Sequence, residues 1–326
     1  MASGLRGYAV AQQLRDFGWR SIVIPKQLEL GQRQRLMKLE QPDVIVLQKS
    51  HHPLNRPRFY PGAKCVFDID DADFIDPAQR EGVIECMRES ACVIAGSRHV
   101  AEYARQYNPA VDIVWTGSRP RSGVPMQKPD RPVVAWAISS ASDYPEEHAL
   151  IQSALDRVKS KDWEFWLFGV KDGDSNLSLV SSLADRGIQT RTFGFLSYEK
   201  YLDTLEQVSI GLAPLMPAQS QFSAGKSFGK VLGYLNCCVA TIASNCAEHP
   251  MFFRHGKNGF LASSPDEFAE CIDLLLSDAT LRERITQQAH QDYIDKLSLD
   301  AVARRTDEIL RKVLKGDALR PNEFAG

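Results

Sequence analysis

The chain has 326 residues, 44% of them hydrophobic and 25% charged, with 39 lysines and arginines against 41 aspartates and glutamates. These proportions belong to an ordinary globular protein and exclude disordered, collagen-like and disulfide-scaffold chains. A net charge of −2 gives no pull towards nucleic acid, and no apolar run approaches the ~20 residues of a membrane span.

Met1 is not followed by a signal-peptide pattern. The seven cysteines form no CxxC pair and have no histidine at zinc-ligand spacing; Cys65, Cys92 and Cys271 lie in apolar runs and read as packing, as does Cys237-Cys238. The expectation is a cytoplasmic, metal-free protein of two domains, since ~150 residues make one.

Met1–Gly7 leads straight into a helical pattern at Tyr8–Phe17. Strand-like runs follow at Ser21–Pro25, Asp43–Gln48, Lys64–Ile69, Ala91–Ala95 and Val111–Thr116, alternating with helical patterns at Leu30–Leu39, Pro77–Arg88 and Ser97–Tyr107. A Pro-, Gly- and Arg-rich stretch, Thr116–Pro132, reads as an exposed linker in which Arg119, Arg121 and Lys128 are solvated. A second series then begins: Val133–Ile138, Trp163–Phe168, Gln189–Phe193, Ile210–Leu215, Val239–Ala243 and Gly259–Ala262 read as strands, each followed by a helix candidate. Charged helices at Ala279–Tyr293 and Leu299–Leu314 close the chain, and the sequence does not say which domain they pack on. Apolar strands alternating with helices indicate α/β architecture with parallel sheets. The expected layout is two doubly wound, Rossmann-like domains facing a cleft, with ligands at the carboxyl ends of the strands. The boundaries fall at 1–120, a linker 121–132, a second domain 133–300 and a terminal helix and tail 301–326. A doubly wound domain usually opens with a buried strand, so the first domain reads as lacking its first one.

The densest polar cluster, Asp68-Ile69-Asp70-Asp71-Ala72-Asp73, follows a strand directly. Crowded carboxylates raise one another's pKa towards a working range for acid–base chemistry. Four readings compete. Asp68 and Asp70 resemble the nucleophile and acid of haloacid-dehalogenase-type phosphatases, although Ala72 stands where that motif has Thr or Val. The DxD could hold a divalent cation on a sugar nucleotide. Asp70 or Asp71 could be a lone cleft-facing base. The bland reading is a loop that caps the next helix through Asp76-Pro77.

Gly225-Lys226-Ser227 lacks the earlier glycine of a P-loop, but the loop Gln219–Ser227 with Lys226 and Lys230 is a potential anion site. His51-His52, with Arg56 and Arg58 soon after, follow a strand and are candidates to bind an acceptor or act as base; solvent-facing side chains are the alternative. Gly4-Leu5-Arg6-Gly7 is a weak phosphate-loop signal, and no GxSxG elbow is present.

The second half carries a recognisable text: KVLGYLNCCVATIAS over Lys230–Ser244, then Glu248, HGKNGFLA from His255, DEFA from Asp266 and LLLSD ending at Asp278. It resembles the carboxyl-terminal domain of GT-B-fold, retaining glycosyltransferases of the "group 1" class, family 4. In the first half, VFDIDDA at Val66–Ala72 resembles the DIDD of some members, and Ile94–Ser97 and Val134-Ala-Trp136 are also similar. The resemblance implies a transferase moving a sugar from a nucleotide-sugar donor to a glycan, lipid-linked or small-molecule acceptor, without metal or other cofactor. With the charge and the lack of a long apolar run, the expectation is no nucleic-acid partner, no integral membrane segment, and a cytoplasmic location, at most peripheral to the inner membrane face. The resemblance places Lys230 near the donor diphosphate with Lys226 assisting, Phe195 and Leu196 at the nucleobase, and Gly4, Arg6 and Gly7 in a glycine turn towards the diphosphate. Ser139, Ser244 and Glu248 join this donor set. Asp70, with Asp71 beside it, stands at the catalytic position that other members give to a cleft histidine, and His51, Arg56 and Arg58 remain on the acceptor side. Retention would come from same-face attack, a diphosphate oxygen helping to deprotonate the acceptor. The family's donor-binding glutamate falls on Gly233, and its G-x-P on Cys238-Val239-Ala240. A catalytically silent transferase-like partner or sensor is therefore the rival reading.

Overall fold

The computed structural model describes residues 3–124, 128–140, 143–171, 178–217 and 221–317. The Met1-Ala2, Gln219-Ser220 and 125–127 portions of the stretches discussed above, and the tail from 318, lie outside the described residues. Two compact units emerge: unit 1 holds residues 3–119, 221–227 and 296–317, and unit 2 holds 120–217 and 228–295.

Unit 1 opens with a continuous helical segment: a π-helical turn over Ser3–Ala9, α1 (Val10–Gln13) and a 3-10 turn over Leu14–Phe17. Gly18, at φ 86°, ends it in the left-handed region that glycine adopts without strain. Gly4–Gly7 are thus helical, not the expected glycine turn. There follow α2 (Leu30–Glu40), β1 (Val44–Gln48), β2 (Lys64–Ile69), α3 (Pro77–Glu89), β3 (Cys92–Ala95), α4 (Arg98–Arg105) and β4 (Val111–Ile113). The four strands form a parallel sheet in the order β1-β2-β3-β4. Ser21–Pro25, expected as a strand, is irregular, and Ile22 and Val23 are exposed. An apolar run without a neighbouring strand has nowhere to place its backbone hydrogen bonds, and Pro25 lacks a donor.

In unit 2, β5 (Val133–Ala137), α5 (Pro145–Arg157), β6 (Glu164–Phe168), α6 (Ser178–Asp185), β7 (Gln189–Phe193), α7 (Tyr198–Leu205) and β8 (Ile210–Ala213) come first. The chain gives α8 (Gln221–Ala224) to unit 1, then continues with α9 (Val231–Asn236), β9 (Ala240–Ser244), α10 (His249–Phe252), β10 (Phe260–Ala262), α11 (Pro265–Ser277) and α12 (Ala279–Leu297). The sheet is parallel, in the order β10-β9-β8-β5-β6-β7, so its switch point lies between β5 and β8. Its core packs Trp136, Trp163, Phe165, Ile242 and Phe268.

The last helix, α13 (Leu299–Lys315), answers the question that the sequence left open. It starts on a Ser298 cap, stops at Gly316 in the left-handed region, and buries Val302, Ile309 and Leu310 against Val66, Ile94 and Val114 of unit 1. The expected linker is not simply solvated. Arg121 Nη2 lies 2.7 Å from Asp203, and Lys128 Nζ donates to the carbonyls of Glu206 (2.9 Å) and Cys237 (2.7 Å). Burial lowers the Lys128 pKa.

Candidate active site

In parallel sheets, polar chemistry gathers at the carboxyl edge, where strands hand over to loops. In unit 1 three such handovers meet: Lys49–His51 after β1, Asp70–Asp73 after β2 and Gly96-Ser97 after β3. The strand register sets this, since Asp68 pairs with Gln48 on one side and Ile94 on the other.

Asp68 is not a nucleophile. It is buried, and both of its oxygens engage the Arg6 guanidinium. Burial pushes the Asp68 carboxyl up, and Arg6 opposes that push. Arg6 also donates to the Val114 carbonyl (2.7 Å) and to Thr116 (3.3 Å). A guanidinium so engaged is a structural bolt: four of its five N–H groups are spent on Asp68, Val114 and Thr116. The phosphatase reading built on Asp68 loses its nucleophile.

Lys49 is the centre of the remaining cluster, and sequence reasoning missed it. Its Nζ lies 2.7 Å from Asp71 Oδ2, 3.2 Å from Asp70 Oδ1 and 3.6 Å from Asp73 Oδ2. Its backbone is strained into the left-handed region at φ 58°, with its N–H donating to the Asp68 carbonyl at 2.9 Å. Burial would lower the Lys49 pKa, but Asp70, Asp71 and Asp73 together raise it above its ordinary value. Lys226 reaches the same carboxylates from the 221–227 segment: its Nζ is 3.2 Å from Asp71 Oδ1 and 4.0 Å from the Phe222 ring centre. Burial would raise the Asp71 pKa, but Lys226 and Lys49 outweigh it and hold the carboxyl below its usual value. Burial raises the Asp73 pKa, against the pull of Lys49 and His51. Two ammonium groups thus neutralise the charge that a divalent ion would otherwise meet. Among the described residues no group of three or more acidic, histidine or cysteine side chains is arranged to hold a metal.

Two glycines let the backbones come this close. A Cβ on Gly96 would sit 2.5 Å from Asp70 Cα, and one on Gly225 would sit 2.7 Å from the Ala72 Cβ. Ala72, the residue at odds with the phosphatase motif, is small because Gly225 lies on it. Phe74 stacks on Tyr103 of α4 with ring centres 3.7 Å apart, which pins the turn that carries Asp73.

Of the acceptor candidates, His51 joins the cluster: its Nε2 is 3.1 Å from Asp73 Oδ2, and its side chain is 53% exposed. His52 instead accepts from the Leu54 N–H at 3.1 Å. Arg56 is a loop brace, not a ligand: Nη1 donates to the carbonyls of Ser50 (2.7 Å) and Asn55 (2.9 Å), and its Nε faces Glu85. Arg58 pairs with the same Glu85 at 2.9 Å, its own side chain mostly exposed.

The donor candidates of unit 2 also fall on a carboxyl edge. Ser139 follows β5 and is exposed; Phe195, 97% exposed, and Leu196 follow β7. Ser244 ends β9 with its hydroxyl accepting from the Leu215 N–H at 2.9 Å, and buried Glu248 starts α10. Lys230, exposed, starts α9. Gly233 faces inwards, where a Cβ would meet Tyr201 at 2.8 Å and Leu205 at 3.0 Å. Tyr201 occupies the space that a larger residue at 233 would need. Tyr234, next along α9, is a core pillar: its hydroxyl accepts from the Ala137 N–H at 2.8 Å, and its ring lies over Gly211. Cys238, where the resembling family has glycine, adopts φ 52°.

Comparison with known proteins agrees with this architecture. Residues 132–278 match the family model described as glycosyl transferases group 1. The chain is 23% identical over 305 residues to the lipopolysaccharide core biosynthesis glycosyltransferase LpsE of Rhizobium meliloti (strain 1021), covering 90% of this chain and 82% of that one. It superposes on a glycosyltransferase from Rickettsia africae ESF-5 with a TM-score of 0.72 at 14% identity, covering 97% of each chain. It also superposes on HepE of Anabaena in complex with UDP-glucose, with a TM-score of 0.65 at 16% identity, covering 92% of this chain and 88% of the other. Among the described residues no helix is long and apolar enough to cross a membrane. The chain thus has the fold of GT-B glycosyltransferases, and its residues 132–278 match the group 1 glycosyl transferase family.

Proposed function

We propose that this enzyme transfers a sugar from a nucleoside-diphosphate sugar to a hydroxyl of a glycan or lipid-linked acceptor, with retention and without a metal ion. The single observation that carries the metal-free reading is the placement of Lys49 and Lys226 among Asp70, Asp71 and Asp73. The donor set is Lys230, Ser139, Phe195, Leu196, Ser244 and Glu248, with the nucleotide recognised on unit 2. HepE, similar in fold, is described in complex with UDP-glucose, which supports a UDP-sugar as the first donor to try. The leaving diphosphate is stabilised by ammonium groups and backbone amides instead of a cation. Asp70 is the carboxylate assigned to the reacting sugar, and Asp71, gripped by two lysines, is its anchor.

The test is turnover of UDP-glucose, GDP-mannose and ADP-glucose with and without EDTA, followed by NMR of the anomeric configuration of the product. Turnover that survives EDTA and gives the donor's configuration is the expected result. Turnover abolished by EDTA and restored by magnesium removes the metal-free reading, and an inverted product removes retention.

A further inference from the structure

We infer that unit 2 carries a second ligand site, a cationic groove between the 254–259 turn and α12 that binds a soluble sugar bearing two phosphate groups. The site is independent of the transferase reading above, because it shares no residue with the donor set. The groove encloses about 590 Å³, the size of a small-molecule site. The turn supplies Arg254, Gly256 and Lys257 to one wall, and α12 supplies Arg284, Gln287, Gln288 and Gln291 to the other. At that spacing the four α12 residues share one face of the helix over two turns, about 10 Å. The turn leads into β10 at its amino end, whereas Ser139, Phe195 and Leu196 follow the carboxyl ends of β5 and β7. The family match stops at residue 278, before α12 begins.

The walls are held in place from within. Gly256, at φ 73°, closes the turn by donating its N–H to the Gly259 carbonyl at 2.9 Å. Beneath lies buried Asp292: Oδ2 accepts from Arg254 Nη2 at 2.7 Å and from Asn258 Nδ2 at 2.6 Å, and Oδ1 accepts from Gln288 Nε2 at 3.1 Å. Buried Asn258 in turn accepts the Arg254 N–H on its Oδ1 at 2.6 Å. Arg254 is thereby fixed with guanidinium donors to spare. Lys257 and Arg284 are exposed and pair with no carboxylate among the described residues. Three cations around one cavity call for phosphate oxygens. The glutamines add a second requirement. Gln288 and Gln291 spend an amide N–H on Asp292 and on Asp295 (3.0 Å), which leaves their carbonyl oxygens as acceptors. A phosphate dianion has no proton to give an acceptor, whereas sugar hydroxyls do. Among the described residues neither an aromatic ring nor a large apolar side chain lines the groove. A nucleobase therefore finds no stacking surface there, and a bilayer finds nothing to insert.

The test is calorimetric titration with glucose 1,6-bisphosphate, pyrophosphate and glucose, on wild type and on the K257Q/R284Q, Q291M and K230A variants. The groove variants alter exposed side chains only, and melting temperatures show whether each is folded. Wild type should bind the bisphosphate, pyrophosphate more weakly and glucose not at all. K257Q/R284Q should weaken the bisphosphate about 100-fold, about tenfold for each charge-assisted contact removed. Q291M should weaken the bisphosphate about fivefold, the loss of one neutral hydrogen bond, and leave pyrophosphate unchanged. K230A should bind the bisphosphate like wild type, because Lys230 belongs to the donor set. A wild type that binds neither phosphate compound, or a double variant with wild-type affinity, overturns the site. A loss in K230A as large as in the double variant also overturns it, by moving the ligand to the donor set. Pyrophosphate bound as tightly as the bisphosphate, with Q291M silent, overturns the sugar. Finally, wild type should not float with phosphatidylglycerol vesicles; flotation that K257Q/R284Q abolishes overturns the soluble ligand in favour of a lipid headgroup.

Discussion

The carboxyl edges of the two sheets solve different problems. In unit 1 the edge is crowded, charged and internally paired: Asp68 is consumed by Arg6, Asp71 is shared by Lys49 and Lys226, and Asp73 faces His51. In unit 2 the edge is sparse and open, with Ser139 and Lys230 exposed and the Phe195 ring 97% in solvent. A crowded, prepaired edge holds charges in place before substrate arrives, which is what stabilising a developing charge demands. An open edge presents its groups to solvent. The contrast is between a prepaired and an exposed edge, and it can be broken at each end.

The largest effect should come from Lys49→Met. It takes from Asp70, Asp71 and Asp73 their shared ammonium partner and leaves Lys226 on Asp71, and removing one member of a buried ion pair costs about 3–5 kcal/mol. Urea unfolding should show that loss; a shift within a few tenths of a kcal/mol would mean that the cluster is solvated and not prepaired. Gly96→Ala should cost about 1–3 kcal/mol, because its methyl would press on the Asp70 backbone and not on a movable side chain. The matching perturbation in unit 2 is Gly233→Glu, which restores the family residue yet drives it into Tyr201. It should cost a similar ~1–3 kcal/mol and be relieved by Tyr201→Ala, whereas an undisturbed melting temperature would show that Tyr201 moves freely.

A smaller effect concerns pH. The folded-state pKa of Asp71 lies below its unfolded value, so its contribution to stability is present above the ordinary carboxylate range and is lost as the pH falls through the lowered folded value. Lys226→Ala removes one of the two groups responsible. Acid unfolding should then begin at higher pH, and an identical acid midpoint would contradict the pairing. The smallest effect is a gain. Cys238→Gly relieves a left-handed cysteine and should stabilise by ~1 kcal/mol, read as a higher urea midpoint.

Much of this was legible from the chain alone, for physical reasons. β2 carries the expected bounds, Lys64–Ile69, because an apolar run between helices leaves little choice of period, and β7, an edge strand with two β-branched threonines, also falls as expected at Gln189–Phe193. The run at Ser21–Pro25 looked equally strand-like, but whether a sheet offers it a place is a tertiary fact. The acidic cluster was visible; its partners were not. Lys49 sits 22 residues from Asp71 in an unremarkable Gln-Lys-Ser-His-His stretch, and Lys226 is 155 residues away. Nothing local announces a lysine at φ 58° or the closeness of Gly96 to Asp70. Arg6 was noticed for the glycines beside it, whereas its purpose is set by Asp68, 62 residues on. Local patterning encodes elements; the site depends on which loop ends the sheet order brings together.

The central claim is that the open edge of unit 2 is a nucleotide-diphosphate site served by Lys230. Calorimetric titration of the chain and of its Lys230→Ala variant with UDP, GDP and ADP, with and without magnesium, tests it most directly. The account predicts micromolar binding of one nucleotide, unchanged by magnesium and weakened in the variant. A folded protein that binds none of the three, or a variant with wild-type affinity, would contradict it.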